Sequence, residues 1–183
     1  VSWRQSRRGS LPRKHMYCIA TPNAPPAHKF FKLQPSIAMK TEAAAIILAG
    51  GRGTRISHLR PNLPKPMIPV GGSPFLEWVI RHFASHGIRN FVVSLGHLAP
   101  VAERYFDERP KDELSIKTVQ EVEPLGTGGG FVLAQQAAGV ADPLILANGD
   151  SLVLADLAGA WRWLDDPTVD GVVVGLDVDD ASR

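Results

Sequence analysis

The chain has 183 residues, 44% of them apolar and 21% charged, which is enough for one α/β domain with a real core. Its formal net charge of +2 is unevenly placed: residues 1–40 carry eight Lys/Arg and no Asp/Glu, leaving 12 Lys/Arg against 18 Asp/Glu in residues 41–183. The single cysteine, Cys18, excludes an intramolecular disulfide and fits a reducing compartment. No apolar run approaches the ~20 residues that span a bilayer, and no signal-peptide core follows the N-terminal arginines, so the chain reads as cytoplasmic and without a membrane partner.

Residues 1–38 mix Arg, Ser, Pro and Asn without helical or alternating period, and are expected to form a disordered basic extension with little packed structure. Met39 stands just before the first periodic segment, so the extension reads as a native tail, as an upstream stretch outside the true reading frame, or as a basic arm. Arg7-Arg8 and Arg13-Lys14 are brief clusters with no amphipathic face, which argues against nucleic acid or membrane as the partner of such an arm.

Ala45-Ile46-Ile47-Leu48-Ala49 is apolar without alternation, as expected of a strand covered on both faces in a parallel sheet. Gly50-Gly51-Arg52-Gly53-Thr54-Arg55 follows, and three missing Cβ atoms allow backbone N–H groups to approach a phosphate closely. Arg55 offers a planar fork for phosphate oxygens and Lys65 a point charge, with Pro64 and Pro66 restricting the backbone on either side of the lysine.

Ser73 and Pro74 read as N-cap and first position of a helix carrying Phe75, Leu76, Val79, Ile80 and Phe83 at helical spacing and closed by Gly87. A strand over 91–95, a helix over about 100–106 and a strand over 114–119 continue the alternation. A second glycine-rich loop, Glu121 to Gly130, leads into a helix over about 131–138, and a strand over 143–147 delivers Asn148-Gly149-Asp150-Ser151 at its carboxyl end. A helix bearing Trp161 and Trp163 and a strand over 171–176 close the chain. Strand and helix alternating in this way indicate a parallel sheet, whose ligands gather at the carboxyl ends of its strands. Asp177-Val178-Asp179-Asp180 lacks the glycine and terminal glutamate of a calcium loop and reads as a solvated strand end.

The first loop is neither of the two commonest phosphate loops. Gly53-Thr54-Arg55 is not the Gly-Lys-Ser/Thr of a Walker motif, and Ile56 stands where a dinucleotide fingerprint counted from Gly51 needs its third glycine. Leu48-Ala49-Gly50-Gly51-Arg52-Gly53-Thr54-Arg55 followed by Pro64-Lys65-Pro66-Met67 resembles instead the signature of the sugar-1-phosphate nucleotidyltransferases. Pro74-Phe75-Leu76-Glu77, Glu123-Pro124-Leu125-Gly126-Thr127-Gly128-Gly129 and Asn148-Gly149-Asp150-Ser151 are similar to the heptose- and mannose-1-phosphate guanylyltransferase branch.

That resemblance implies a Rossmann-like nucleotidyltransferase fold over residues 39–183, a mostly parallel sheet with helices on both faces. It implies transfer of a nucleotidyl group from a nucleoside triphosphate to a sugar 1-phosphate with release of pyrophosphate. Arg55 would hold the departing phosphates, Lys65 would sit by the α-phosphate, and Asp150 would bind Mg²⁺. The backbone around Leu48, Ala49, Gly50, Gly51, Gly53 and Thr54 would cradle the nucleotide. Glu123 would accept from the base, and Gly128 would leave room for the base plane. Guanine presents two adjacent donors that one carboxylate accepts, which favours GTP. Uridylyl or thymidylyl transfer within the same family, and a non-catalytic nucleotide-binding role, stay open, as does homo-oligomerisation. Family members continue well beyond this length and draw a second metal-binding aspartate and most sugar contacts from the later segment, so the chain is expected to be the nucleotide-binding portion of a longer enzyme, incomplete at its C-terminus.

Overall fold

The computed structural model describes residues 43–51, 53, 60–139, 144–155 and 157–175, with residues 15–20 described as backbone. They fall into two compact units, one drawn from Val1–Phe30 with Leu154–Arg183 and the other from Phe31–Val153.

The larger unit is built on a four-stranded parallel sheet. Its strands are β2 (Ala44–Ala49), β5 (Asn90–Leu95), β6 (Ser115–Gln120) and β7 (Leu144–Asn148), in the order β6-β5-β2-β7. The central position of β2 explains its unbroken apolar run: Ala44, Ala45, Ile46 and Ile47 are all fully buried. On one face Ile46 and Val92 pack with Ala134 of helix α3 (Gly126–Ala138), joined by Leu48, Phe131 and Leu144. On the other, Ala45 and Ile47 lie in register with Phe91 and Val93, all buried. Each such isoleucine, valine or phenylalanine contributes about 1.5–3 kcal/mol by leaving water.

Helix α1 (Phe75–Ser85) buries Leu76, Val79, Ile80 and Phe83, four of the five residues its spacing predicts, with Phe75 only partly covered, and Gly87 follows its end with φ +96°. Its start differs from the expectation. Ser73–Pro74 form a short strand, β4, paired antiparallel with β3 (Pro69–Val70), and Pro74 is extended with φ −54° and ψ 144°, so the helix begins at Phe75. Two glycines at positive φ, Gly71 and Gly72, close that hairpin, so Ser73 serves the ladder and not a cap. Helix α2 (Ala99–Glu108) connects β5 to β6. Helix α3 begins at Gly126, five residues before the expected start, so most of the second glycine run is helical.

Glu77 is 1% exposed on α1, and its carboxylate accepts from Arg81 Nε at 2.7 Å and from Arg109 Nε at 3.2 Å. Arg109 forks onto Asp112 at 2.9 and 2.8 Å, a hydrogen-bonded pairing that raises the arginine further and lowers the aspartate. The network ties the end of α2 to α1 inside the protein.

In the smaller unit β1 (His15–Ala20) pairs in parallel with β8 (Val169–Gly175), so a strand lies within the stretch expected to carry little packed structure. Helix α4 (Leu157–Trp163) buries Leu157, with Trp161 half-buried and Trp163 exposed. Residues 177–180 lie outside the described residues. Among the described residues no helix is long and apolar enough to cross a membrane.

Candidate functional site

A cavity of about 620 Å³ opens at the carboxyl ends of the parallel strands, a size suited to a nucleotide-scale ligand. Four segments converge on it, three of them presenting the predicted glycines, lysine and aspartate and the fourth contributing Glu121, Pro124, Gly126 and Thr127. The first is the exit of β2, with Leu48, Ala49, Gly50, Gly51 and Gly53 in the wall. The second carries Lys65, which opens a single 3₁₀ turn (Lys65–Met67) behind an extended Pro64. Met67 N–H donates to the Pro64 carbonyl at 2.8 Å, and Pro66 and Met67 are buried, so the turn is fixed beneath the lysine. The third is the exit of β7, which brings Asn148 and Asp150 to the wall.

Backbone contacts set these segments side by side. Gly149 N–H donates to the Leu48 carbonyl at 2.8 Å, carrying the β2–β7 pairing one step past the strands and leaving Asp150 beside the glycine loop. Gly53 has φ +59°, a conformation that favours glycine, and a Cβ there would press on Lys65 Cβ at 3.0 Å. Gly50 is packed as closely from the β5 side: a Cβ on Gly96 would lie 2.3 Å from the Gly50 carbonyl oxygen.

Lys65 Nζ donates to Asp150 Oδ2 at 2.7 Å, and the two side chains are 41% and 37% exposed. The lysine hydrogen bond, with a second from Ser151 Oγ at 3.1 Å, holds the Asp150 carboxyl below the usual carboxylate range. The pair places one cation and one anion, both within reach of solvent, at the mouth of a glycine-lined hollow.

Of the residues singled out in the sequence, Leu48, Ala49, Gly50, Gly51, Gly53, Lys65 and Asp150 lie together at this cavity. Thr54 and Arg55 lie outside the described residues. Glu123 and Gly128 are exposed and do not line the cavity. Glu121, which sequence reasoning passed over, does. Its N–H extends the β5–β6 ladder by donating to the Leu95 carbonyl at 2.7 Å. Its carboxylate accepts from Ser94 Oγ at 2.8 Å and from Leu125 N–H at 3.2 Å. The available signal was its place as the first residue past the strand end, where ligands of parallel sheets gather.

The family model described as Nucleotidyl transferase matches residues 44–182. The chain belongs to this nucleotidyltransferase family. It is 38% identical over 113 residues to D-glycero-alpha-D-manno-heptose 1-phosphate guanylyltransferase of Aneurinibacillus thermoaerophilus, a match covering 62% of this chain and 48% of that protein. It is 39% identical over 115 residues to mannose-1-phosphate guanylyltransferase of Mycobacterium tuberculosis, covering 62% of this chain and 32% of that one. The crystal structure of HddC from Yersinia pseudotuberculosis complexed with GMP-PN superposes with a TM-score of 0.59 at 30% identity, over 67% of this chain and 54% of that one. Relatives named as glucose-1-phosphate cytidylyltransferase and UTP--glucose-1-phosphate uridylyltransferase match as well. The chain thus spans about half or less of the length of the curated relatives it matches. The nucleotidyltransferase fold, a parallel sheet flanked by helices, is the one expected from the sequence.

Proposed function

We propose that this nucleotidyltransferase site carries guanylyl transfer from GTP to a sugar 1-phosphate of the heptose or mannose type. One observation supports the chemistry most directly: a glycine-lined exit, a fixed lysine and an aspartate from three distant segments meet at one cavity, with Lys65 Nζ 2.7 Å from Asp150 Oδ2. The named functions of the relatives support the base and the sugar class.

In the proposed reaction an oxygen of the sugar phosphate attacks the α-phosphorus of the triphosphate. The new O–P bond forms as the bond to the β-phosphate oxygen breaks, and pyrophosphate leaves with that electron pair. Such a transfer asks for alignment and charge neutralisation rather than a covalent nucleophile. Backbone N–H groups around Gly50, Gly51 and Gly53 cradle the triphosphate. Lys65 neutralises the α-phosphate and draws the incoming sugar phosphate towards it. Arg55 takes the departing phosphates.

The donor set fits Mg²⁺ in one mode. Among the described residues no three His, Cys, Asp or Glu side chains gather into a protein-only cage. Asp150 offers a single anionic carboxylate beside the phosphate cradle, and Mg²⁺ commonly binds through one or two carboxylates, substrate phosphates and water. Asp150 would hold the metal, which supplies further neutralisation of phosphate charge when bound.

Glu121 is the carboxylate available to guanine, whose N1–H and N2 amine are adjacent donors. Uridylyl transfer is the second reading, favoured by the uridylyltransferase among the relatives. Titration of GTP and of UTP, each with Mg²⁺, into the 183-residue chain separates the two. Tighter binding of GTP, weakened in Lys65→Ala, is the expected result. Binding of neither nucleotide, or binding indifferent to Lys65, would overturn the proposal.

A further inference from the structure

Glu121 has three side-chain torsions, so lining the cavity does not by itself make it discriminate between bases. What fixes it is a socket. Ser94, 0% exposed and next to last in β5, donates its hydroxyl to Glu121 Oε1 at 2.8 Å. Two glycines close over the same oxygen: a Cβ on Gly50 would lie 2.5 Å from Oε1, and one on Gly130 would lie 2.8 Å from it. Leu125 N–H, at 3.2 Å, takes one acceptor site of Oε2. Each carboxylate oxygen thus takes one donor from the protein and keeps one acceptor site, so the carboxylate is held with two adjacent sites left for a ligand.

We propose that Ser94 is a positioning residue for base selection, holding the Glu121 carboxylate so that a purine edge carrying donors is accepted and one carrying an acceptor is rejected. The inference rests on the guanine reading given above. Ser94 reaches no ligand itself; buried beneath Glu121, it acts only through that carboxylate. A buried polar group that is oriented and left unpaired by the wrong ligand discriminates strongly, whereas one free to turn away does not. Guanine offers the adjacent donors N1–H and N2–H on this edge, whereas adenine offers one donor, its N6 amine, beside an unprotonated N1 that repels a carboxylate oxygen, with the same ring size and the same triphosphate.

The test is calorimetric titration of GTP, ATP and inorganic tripolyphosphate, each with Mg²⁺, into the 183-residue chain and its Ser94→Ala, Ser94→Thr and Gly130→Ala variants. The wild type is expected to prefer GTP over ATP by at least about tenfold. Ser94→Ala should bring that ratio to within about threefold of unity, Ser94→Thr should restore most of it, and tripolyphosphate affinity should stay within about twofold throughout. Gly130→Ala reaches the same oxygen from the helix side and should lower the ratio even where Ser94→Ala fails to fold. A preference that survives both Ser94→Ala and Gly130→Ala overturns the role of Ser94 while leaving the guanine reading intact. Equal binding of GTP and ATP by the wild type removes the guanine reading, and the inference with it. A loss shared equally by tripolyphosphate marks Ser94 as a general support of the fold and also overturns the proposal.

Discussion

Replacing Asp150 by alanine should separate folding from function. The Lys65–Asp150 pair is short, 2.7 Å, but its side chains are 41% and 37% exposed, so water screens it. Exposed pairs of this kind contribute about 0.2–1 kcal/mol. The lowered pKa of Asp150 reports the same interaction and is discounted for the same exposure. Removing the carboxylate leaves Lys65 able to solvate, so no buried charge is stranded. Urea denaturation of Asp150→Ala should therefore lie within about 1 kcal/mol of the wild type. Binding should behave differently in two ways. Affinity for Mg²⁺-GTP should fall at least about tenfold, equivalent to about 1.4 kcal/mol, because the carboxylate proposed to hold the metal is gone. Affinity for metal-free tripolyphosphate should rise by up to about fivefold, because Lys65 no longer has a competing anion. Destabilisation beyond about 2 kcal/mol, or Mg²⁺-GTP affinity equal to that of the wild type, would refute the reasoning.

Three further outcomes are expected. Glu77→Ala strands Arg109, whose side chain is 11% exposed, but Asp112 remains to pair with it, so the loss in urea denaturation should sit near the low end of the range for broken buried pairs, about 3 kcal/mol. His82 lies edge-on to His86 at 4.8 Å, with its Nε2 buried. Burial, then the neighbouring His86, lower its pKa from 6.5, so the unfolded chain takes up the proton first. Its share of stability is present above that value and lost as pH falls through the folded pKa, so the urea midpoint should drop with acidification from neutral pH and His82→Gln should flatten the drop. Gly96→Ala drives a Cβ to 2.3 Å from the Gly50 carbonyl, which only backbone movement relieves; tripolyphosphate affinity should fall by about tenfold or more, and an unchanged affinity would show that the loop does not need this contact.

Much of the fold was legible because its signals are local. An unbroken apolar run marks β2 since neighbours cover both its faces, and the helical spacing of Leu76, Val79, Ile80 and Phe83 marks the buried stripe of α1. Lys65 and Asp150 could be named because prolines bracket one and a strand exit presents the other. What escaped depends on contacts between distant segments. Four glycines in residues 126–130 read as loop, yet they form the first turns of α3, where Gly130 lets the helix close on Glu121 and Ser94. Propensity alone disfavours helix there, and tertiary packing overrides it. Glu121 and Glu123 look alike in the sequence; the β5–β6 register is what sets Glu121 against Ser94 and leaves Glu123 in solvent.

The most direct test of the central claim is titration of GTP with Mg²⁺ into the 183-residue chain and its Lys65→Ala variant, followed by heat. The account predicts saturable binding to one site, weakened at least about tenfold by the substitution. Binding that is indifferent to Lys65, or no binding of GTP at all, would contradict it.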